Sequence, residues 1–189
     1  FAVNFMGDWL RDRLVEVYEK EGASLFKDAW GARDSYIDVV LDRSMSSRES
    51  FFNVHLKSLG PDSRHKALLL LEMQRHSLLM YTSCAWFFSE VSGIEAVQNL
   101  QYAARAVELA RQACGVDLEK GLSERLKRAP SNDPEFGDAE AVYRRLALAG
   151  RVDEDEVAAH YAAALLFDGA GTPWSLGRFR LLFCSPLHD

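Results

Sequence analysis

The sequence predicts an all-α protein, a multi-helix bundle that ends in a short strand or an irregular segment at its C-terminus. Three observations predict it. Apolar residues recur at three- and four-residue spacing through most of the 189 residues, the period that gathers them on one face of a helix. Helix start and stop residues punctuate that pattern, and only 178–184 mixes Phe, Leu and Arg in a way that could alternate as a strand. A hydrophobic content of 48% and a charged content of 26% suit one globular unit with a buried core. The expected organisation is a helical bundle domain over 1–168 and a C-terminal extension over 169–189.

The first helix follows from Leu10, Leu14, Val17 and Tyr18, which share a face at i, i+4, i+7 and i+8. A second runs over about 33–42 through Tyr36, Ile37, Val40 and Leu41. Ser46 and Glu49 have capping-box spacing and open a third, short helix with Phe51, Phe52 and Leu56. Gly60-Pro61-Asp62 is a turn and helix start. The run 67–80 that follows is apolar on nearly every side except Glu72, Gln74, Arg75, His76 and Ser77, as suits the centre of a bundle. Ser92 and Glu95 form a second capping box before Ile94, Val97, Leu100, Ala104 and Val107, with Glu95, Gln98, Asn99, Gln101, Arg105 and Glu108 facing away and an end near Gly115. Asp117 caps a short helix through Leu118, Leu122 and Leu126, and Pro130 and Pro134, which lack backbone donors, make 129–134 an exposed loop. Asp138 opens a helix with Val142, Tyr143 and Leu146, and the acidic run 153–156 opens another with Val157, Tyr161 and Leu165. A strand at 178–184 would need a partner for its backbone donors, and none is evident nearby.

Charge and composition narrow the function classes. A net charge of −6 and a pI near 5.4 argue against nucleic acid, which requires clustered Lys and Arg. The longest apolar runs, 67–71 and 162–167, fall short of the roughly 20 residues of a membrane span. Cys84, Cys114 and Cys184 are odd in number and far apart, which suits reduced thiols in a cytoplasmic protein. The five histidines form no metal-binding pair, so neither a metal nor another cofactor is expected. The chain opens at Phe1 without a signal peptide, the pattern of a segment cut from a longer polypeptide.

Two constellations could carry chemistry. The stretch 72–95 runs from a buried helix through a polar and aromatic turn into a capped helix. Glu72 and Arg75 are spaced to pair on one helix face, while Tyr81, Trp86, Phe87 and Phe88 can plug the end of the bundle. Alternatively Trp86, with Glu90 and Glu95 nearby, lines a cleft in which a sugar ring stacks on the indole and carboxylates accept its hydroxyl hydrogen bonds. The second constellation is Trp30, Arg33 and Asp34 at a helix start, either a local ion pair with an anchoring Trp or a brace for an adjacent loop. No Gly-rich phosphate loop and no nucleophile elbow is present.

Longer motifs carry a resemblance. Leu71-Glu-Met-Gln-Arg, Leu79-Met-Tyr-Thr-Ser-Cys-Ala-Trp-Phe-Phe, Ser92-Gly-Ile-Glu-Ala-Val-Gln and Tyr102-Ala-Ala-Arg resemble the domain of unknown function 3536, found after a glycoside hydrolase family 57-type barrel. Ala29-Trp-Gly-Ala-Arg-Asp, Ala129-Pro-Ser-Asn, Arg151-Val-Asp and Ala158-Ala-His-Tyr-Ala extend the resemblance over most of the chain. It implies a helical accessory domain whose partner is a catalytic barrel of the same polypeptide, which holds the catalytic carboxylates, so that no catalytic residue lies in this chain. It further implies a contribution to an α-glucan cleft. There Cys84-Ala85-Trp86 is similar to the Ser-Asp-Trp turn of family 57 enzymes, with Ala85 in place of the acid. Trp86 would face sugar, with Glu72, Arg75, Arg33 and Asp34 bracing the junction. The rival expectation is a non-enzymatic interaction or scaffold module.

Overall fold

The computed structural model describes residues 2–82, 85, 90–150, 175–176 and 179–180, with the side chains of 7–82, 85 and 90–149. The chain divides into two compact units, Phe1–Gly150 and Arg151–Asp189. The first is all-α, as the periodicity predicts. Its helices are α1 (Ala2–Leu25), α2 (Ala29–Leu41), α3 (Met45–His55), α4 (Pro61–Leu79), α5 (Ile94–Cys114), α6 (Glu119–Leu126) and α7 (Ala139–Val142). A π-helical turn, Tyr143–Ala147, and a 3-10 turn, Leu148–Gly150, follow.

Local chemistry sets the helix boundaries. Asp28 accepts from the Gly31 N–H at 3.1 Å to start α2, and Asp138 accepts from the Ala141 N–H at 2.9 Å to start α7. Pro61 opens α4, where its missing N–H costs no hydrogen bond. Gly115, at φ 72°, ends α5 in the left-handed conformation that glycine adopts without a Cβ clash. Two starts differ from the sequence expectation. Ser44 rather than Ser46 caps α3, accepting from the Ser47 N–H at 3.2 Å, because the Asp42 carboxylate already holds the Ser44 N–H and turns the chain there. α5 begins at Ile94 with Gly93 as its N-cap and no side-chain cap, because the Ser92 N–H is drawn to Glu90 instead.

α4 packs chiefly against α5 and α1, and α1 also reaches α5 and α6. Leu70, Leu71 and Met73 of α4 are almost wholly buried beside Leu10, Leu14 and Tyr18 of α1. α5 presents Ala96, Ala103, Ala104, Ala106 and Ala110 to this core, small side chains that let neighbouring helices approach closely. Gln74 and Ser77, polar in the sequence pattern, are buried too; the Gln74 amide donates to the Leu14 carbonyl at 3.0 Å and so ties α4 to α1. Asn99 is a correction: it does not face away but lies 6% exposed at the α5 surface that covers α1 and α6.

The segments after α1 and α3 brace one another. The Lys27 N–H donates to the His55 carbonyl at 2.8 Å and the Lys57 N–H to the Leu25 carbonyl at 3.0 Å. Each lysine then caps the other helix: the Lys27 ammonium donates to the Asn53 and Val54 carbonyls, and that of Lys57 to the Ala23 carbonyl at 2.6 Å. A cation at a helix C-terminus meets the negative end of its dipole and its free carbonyls, worth ~0.3–1 kcal/mol each at an exposed position.

In the second unit, β1 (Ser175–Leu176) pairs antiparallel with β2 (Phe179–Arg180). β2 falls within the 178–184 segment predicted as a strand. Its partner begins four residues upstream in the sequence, which is why no distant strand is needed. Among the described residues no helix is long and apolar enough to cross a membrane.

Candidate functional site

The junction between α4 and α5, residues 80–93, interrupts the central helices of the bundle. Met80, Ala85 and Val91 pin it down, each at most 7% exposed. Trp86, predicted to face sugar, lies outside the described residues, as do Cys84, Phe87 and Phe88.

Carboxylates hold the junction at both ends. After α4, the Tyr81 hydroxyl donates to Asp8 Oδ1 at 2.9 Å, and Arg11 donates to the same oxygen at 2.9 Å. Burial, and then the bond to Asp8, push the Tyr81 phenol well above its ordinary pKa. Before α5, the Glu90 carboxylate takes three donors: the Ser131 hydroxyl at 2.6 Å, the Asn132 N–H at 2.6 Å and the Ser92 N–H at 2.8 Å. The Ser131 hydroxyl, followed by the two backbone donors, lowers the Glu90 pKa to about 2, with partial burial opposing them. Glu95 occupies the first turn of α5, where a carboxylate complements the positive helix end.

Glu72 forms a second centre, further down α4. Its Oε1 accepts from the Tyr36 hydroxyl of α2 at 2.8 Å and lies 3.8 Å from Arg43; its Oε2 accepts from Arg75 at 3.0 Å. Burial raises the Glu72 pKa, but the Tyr36 and Arg75 bonds and the Arg75 charge outweigh it, so the group stays below its ordinary value. The Tyr36 phenol is pushed up by burial and then by the adjacent carboxylate. His76 Nδ1 meets the Glu72 carbonyl at 2.8 Å; since a carbonyl only accepts, Nδ1 carries the proton. Burial in the first place, with the charges of Arg75 and Arg105, holds the His76 pKa below the ordinary histidine value despite Glu72. Glu72 is therefore a bridge between α2 and α4.

Trp30, Arg33 and Asp34 form a third group. The Arg33 guanidinium lies 4.7 Å from the Trp30 ring centroid and donates twice to Asp34 Oδ1, at 2.9 and 2.6 Å, while the Trp30 indole N–H donates to Glu19 at 3.3 Å. Thus the structure joins Glu72 to Arg75 and Trp30 to Arg33 and Asp34. Among the described residues no hydrogen bond or ion pair runs from one of these sets to the other.

Sequence reasoning missed the partners rather than the centres. Tyr36 lies 36 positions from Glu72, Ser131 lies 41 from Glu90 and Asp8 lies 73 from Tyr81, separations at which spacing carries no signal. Among the described residues no group of three or more His, Cys, Asp or Glu side chains could hold a metal ion. Cys114 is free, and its thiol donates to the Ala110 carbonyl of its own helix.

Fold and site together define a helical bundle domain whose central interhelical junction is braced by carboxylates. The chain belongs to the family described as domain of unknown function (DUF3536), whose model matches residues 7–181. No curated protein and no solved structure matches it.

Proposed function

We propose that this domain is the helical accessory part of a cytoplasmic, glycoside hydrolase family 57-like protein, packing on a catalytic barrel of the same polypeptide and contributing Trp86 to an α-glucan cleft. The family membership supports the reading through the motif resemblance. The observation that carries it is the construction of the α4–α5 junction. Met80, Ala85 and Val91 seat it in the core, Asp8 and Glu90 hold it on either side, and the sequence between Ala85 and Glu90 supplies an indole and two phenyl rings. An aromatic segment mounted on rigid helices is the arrangement by which a scaffold offers a stacking platform to a sugar ring. The chain contributes no catalytic carboxylate in this reading, because the barrel supplies them; Glu72 and Glu90 hold internal donors.

The test is a malto-oligosaccharide titration of the full-length protein and of Trp86→Ala, followed by tryptophan fluorescence. Weakened binding in the variant is expected; equal affinity in both refutes the role of Trp86. A second reading, an interaction module without a sugar site, is favoured by Ile37 and Leu41, one turn apart on α2 and 54% and 80% exposed. Interaction with a separate protein in a polypeptide that carries no barrel would favour it over the first.

A further inference from the structure

α2 is apolar on two sides, and the bundle uses only one of them. Ala32, Tyr36 and Val39 face the core, each at most 7% exposed. Ile37 and Leu41 lie about 150° around the helix from these, at roughly 100° per residue, and each is more than half exposed. A helix with apolar residues on opposite sides is one that is covered on both. Charge says what kind of surface covers the outer side. Asp34 and Asp38 run beside the Ile37 and Leu41 stripe at four-residue spacing, and Asp42 continues the edge at the helix end; all three are exposed. The cations near that edge are engaged elsewhere. Arg33 stacks over Trp30, 4.7 Å from the ring centroid, and gives two hydrogen bonds to Asp34, while Arg43 lies 3.8 Å from Glu72. The Asp38 carboxylate has no hydrogen bond or ion pair among the described residues, and Asp42 holds only the Ser44 N–H, so both leave the edge negative. Covering an unpaired carboxylate is costly, and a surface that packs on this stripe must bring a cation to it. A second copy of the chain would bring another acidic edge and another net charge of −6, which repel.

We infer that the outer face of α2 docks the catalytic barrel, on a patch of apolar side chains edged by Lys or Arg that meets Ile37, Leu41 and Asp38. This rests on the reading in which the domain packs on a barrel of the same polypeptide, and it adds which face packs and what the barrel offers to it. Trp30, Arg33 and Asp34 then have a part in docking. The stacked guanidinium and its ion pair stiffen the N-terminal end of the face, so that less side-chain freedom is lost when the partner arrives.

The experiment uses the full-length protein, with N-ethylmaleimide as the probe of access. Ile37→Cys and Leu41→Cys are compared with Glu124→Cys, at an exposed position of α6, and labelling is read peptide by peptide so that the native cysteines do not interfere. The thiols at 37 and 41 are expected to react about tenfold or more slowly than the one at 124, at a rate that does not change on dilution. Adding Leu41→Asp to Ile37→Cys is expected to restore most of the rate, and adding Asp38→Lys to speed it several-fold, since each breaks the match between the two surfaces. Carbodiimide-driven coupling of glycine ethyl ester to the wild-type protein needs no variant to fold, and it is expected to be slower at Asp38 than at Glu124. Thiols at 37 and 41 that react as fast as the one at 124, or equal coupling at Asp38 and Glu124, overturn the docking face. Protection that falls on dilution overturns it in favour of a second copy. Fast thiols together with lost malto-oligosaccharide binding in Trp86→Ala overturn the docking face and leave the sugar reading standing, whereas slow thiols with wild-type affinity in Trp86→Ala do the reverse.

Discussion

Replacing Gly121 by alanine sets two opposing effects against each other, and one indole decides the sign. α6 approaches α1 so closely that a methyl group at this position would lie 2.5 Å from Trp9 Cη2 and 2.8 Å from Cζ2. Non-bonded carbons settle about 3.5–4.0 Å apart, so the indole or the helix must move. The indole is also held from α6 itself: the Arg125 guanidinium lies 3.9 Å from its ring centroid and donates to the Gly121 carbonyl at 2.9 Å. Alanine inside a helix is favoured over glycine by about 1 kcal/mol, whereas overpacking costs ~1–3 kcal/mol. The expected net loss is about 1 kcal/mol, a fall in Tm of about 2–4 °C for a chain of this size. Trp9→Phe removes the benzo ring that carries Cη2 and Cζ2, so in that background Gly121→Ala should stabilise by the propensity gain of about 1 kcal/mol. Urea unfolding of the four proteins in this double-mutant cycle should give a coupling of about 2 kcal/mol, and equal effects of Gly121→Ala in both backgrounds would refute the close approach.

The histidines set a pH dependence whose sign follows from linkage. Burial first of all holds His55 and His76 below their unfolded value of 6.5, so the unfolded chain takes up protons first; stability is full above 6.5 and is lost as the pH falls through their lowered native values. Glu72, likewise lowered from 4.5, continues the loss in stronger acid. The urea midpoint should be higher at about pH 7.5 than at about pH 5.5, with a smaller difference in His76→Gln; a midpoint that rises on acidification would contradict the burial of these rings. Asn99 offers a separate stability test, because its Oδ1 is buried with no partner among the described residues, beside a cavity of about 20 Å³ lined by Leu10, Met80, Leu100 and Leu126. Asn99→Leu should raise the unfolding free energy by ~1 kcal/mol or more, and a lower midpoint would mean that the amide is satisfied in solution.

Most of the helical unit was legible because local signals and burial agree. The Leu10, Leu14 and Tyr18 stripe, the Gly60-Pro61 start, the stop at Gly115 and the Asp138 cap each depend on residues within one or two turns, which is the range over which periodicity and capping act. One failure marks a place where a distant group won. Ser92 and Glu95 have the spacing of a capping box, yet Glu90 takes the Ser92 N–H because Ser131 and Asn132 have already oriented its carboxylate. Asn99 carries a polar label but sits on the α5 stripe that also bears Leu100 and Ala103, and the helix cannot expose one without the others.

The same distinction explains how much of the candidate site the sequence shows. Glu72 and Arg75 pair at i,i+3, and so do not need the fold to be recognised. What the spacing hides is that Glu72 also holds Tyr36 of α2, and that Ser92-Gly93-Ile94-Glu95 and Ala129-Pro130-Ser131-Asn132 meet at one carboxylate. A surface carboxylate with one exposed partner contributes little, because water competes for it and side-chain entropy opposes it. One that gathers backbone N–H groups from two separate segments is different, since neither donor has to be ordered for the bond alone; the junction and the loop are already fixed by Val91 at one end and Ala129 at the other, 6% and 1% exposed. Glu90 therefore adds alignment more than stability. Its loss should be read in amide exchange at Ser92 and Asn132 before it is read in Tm.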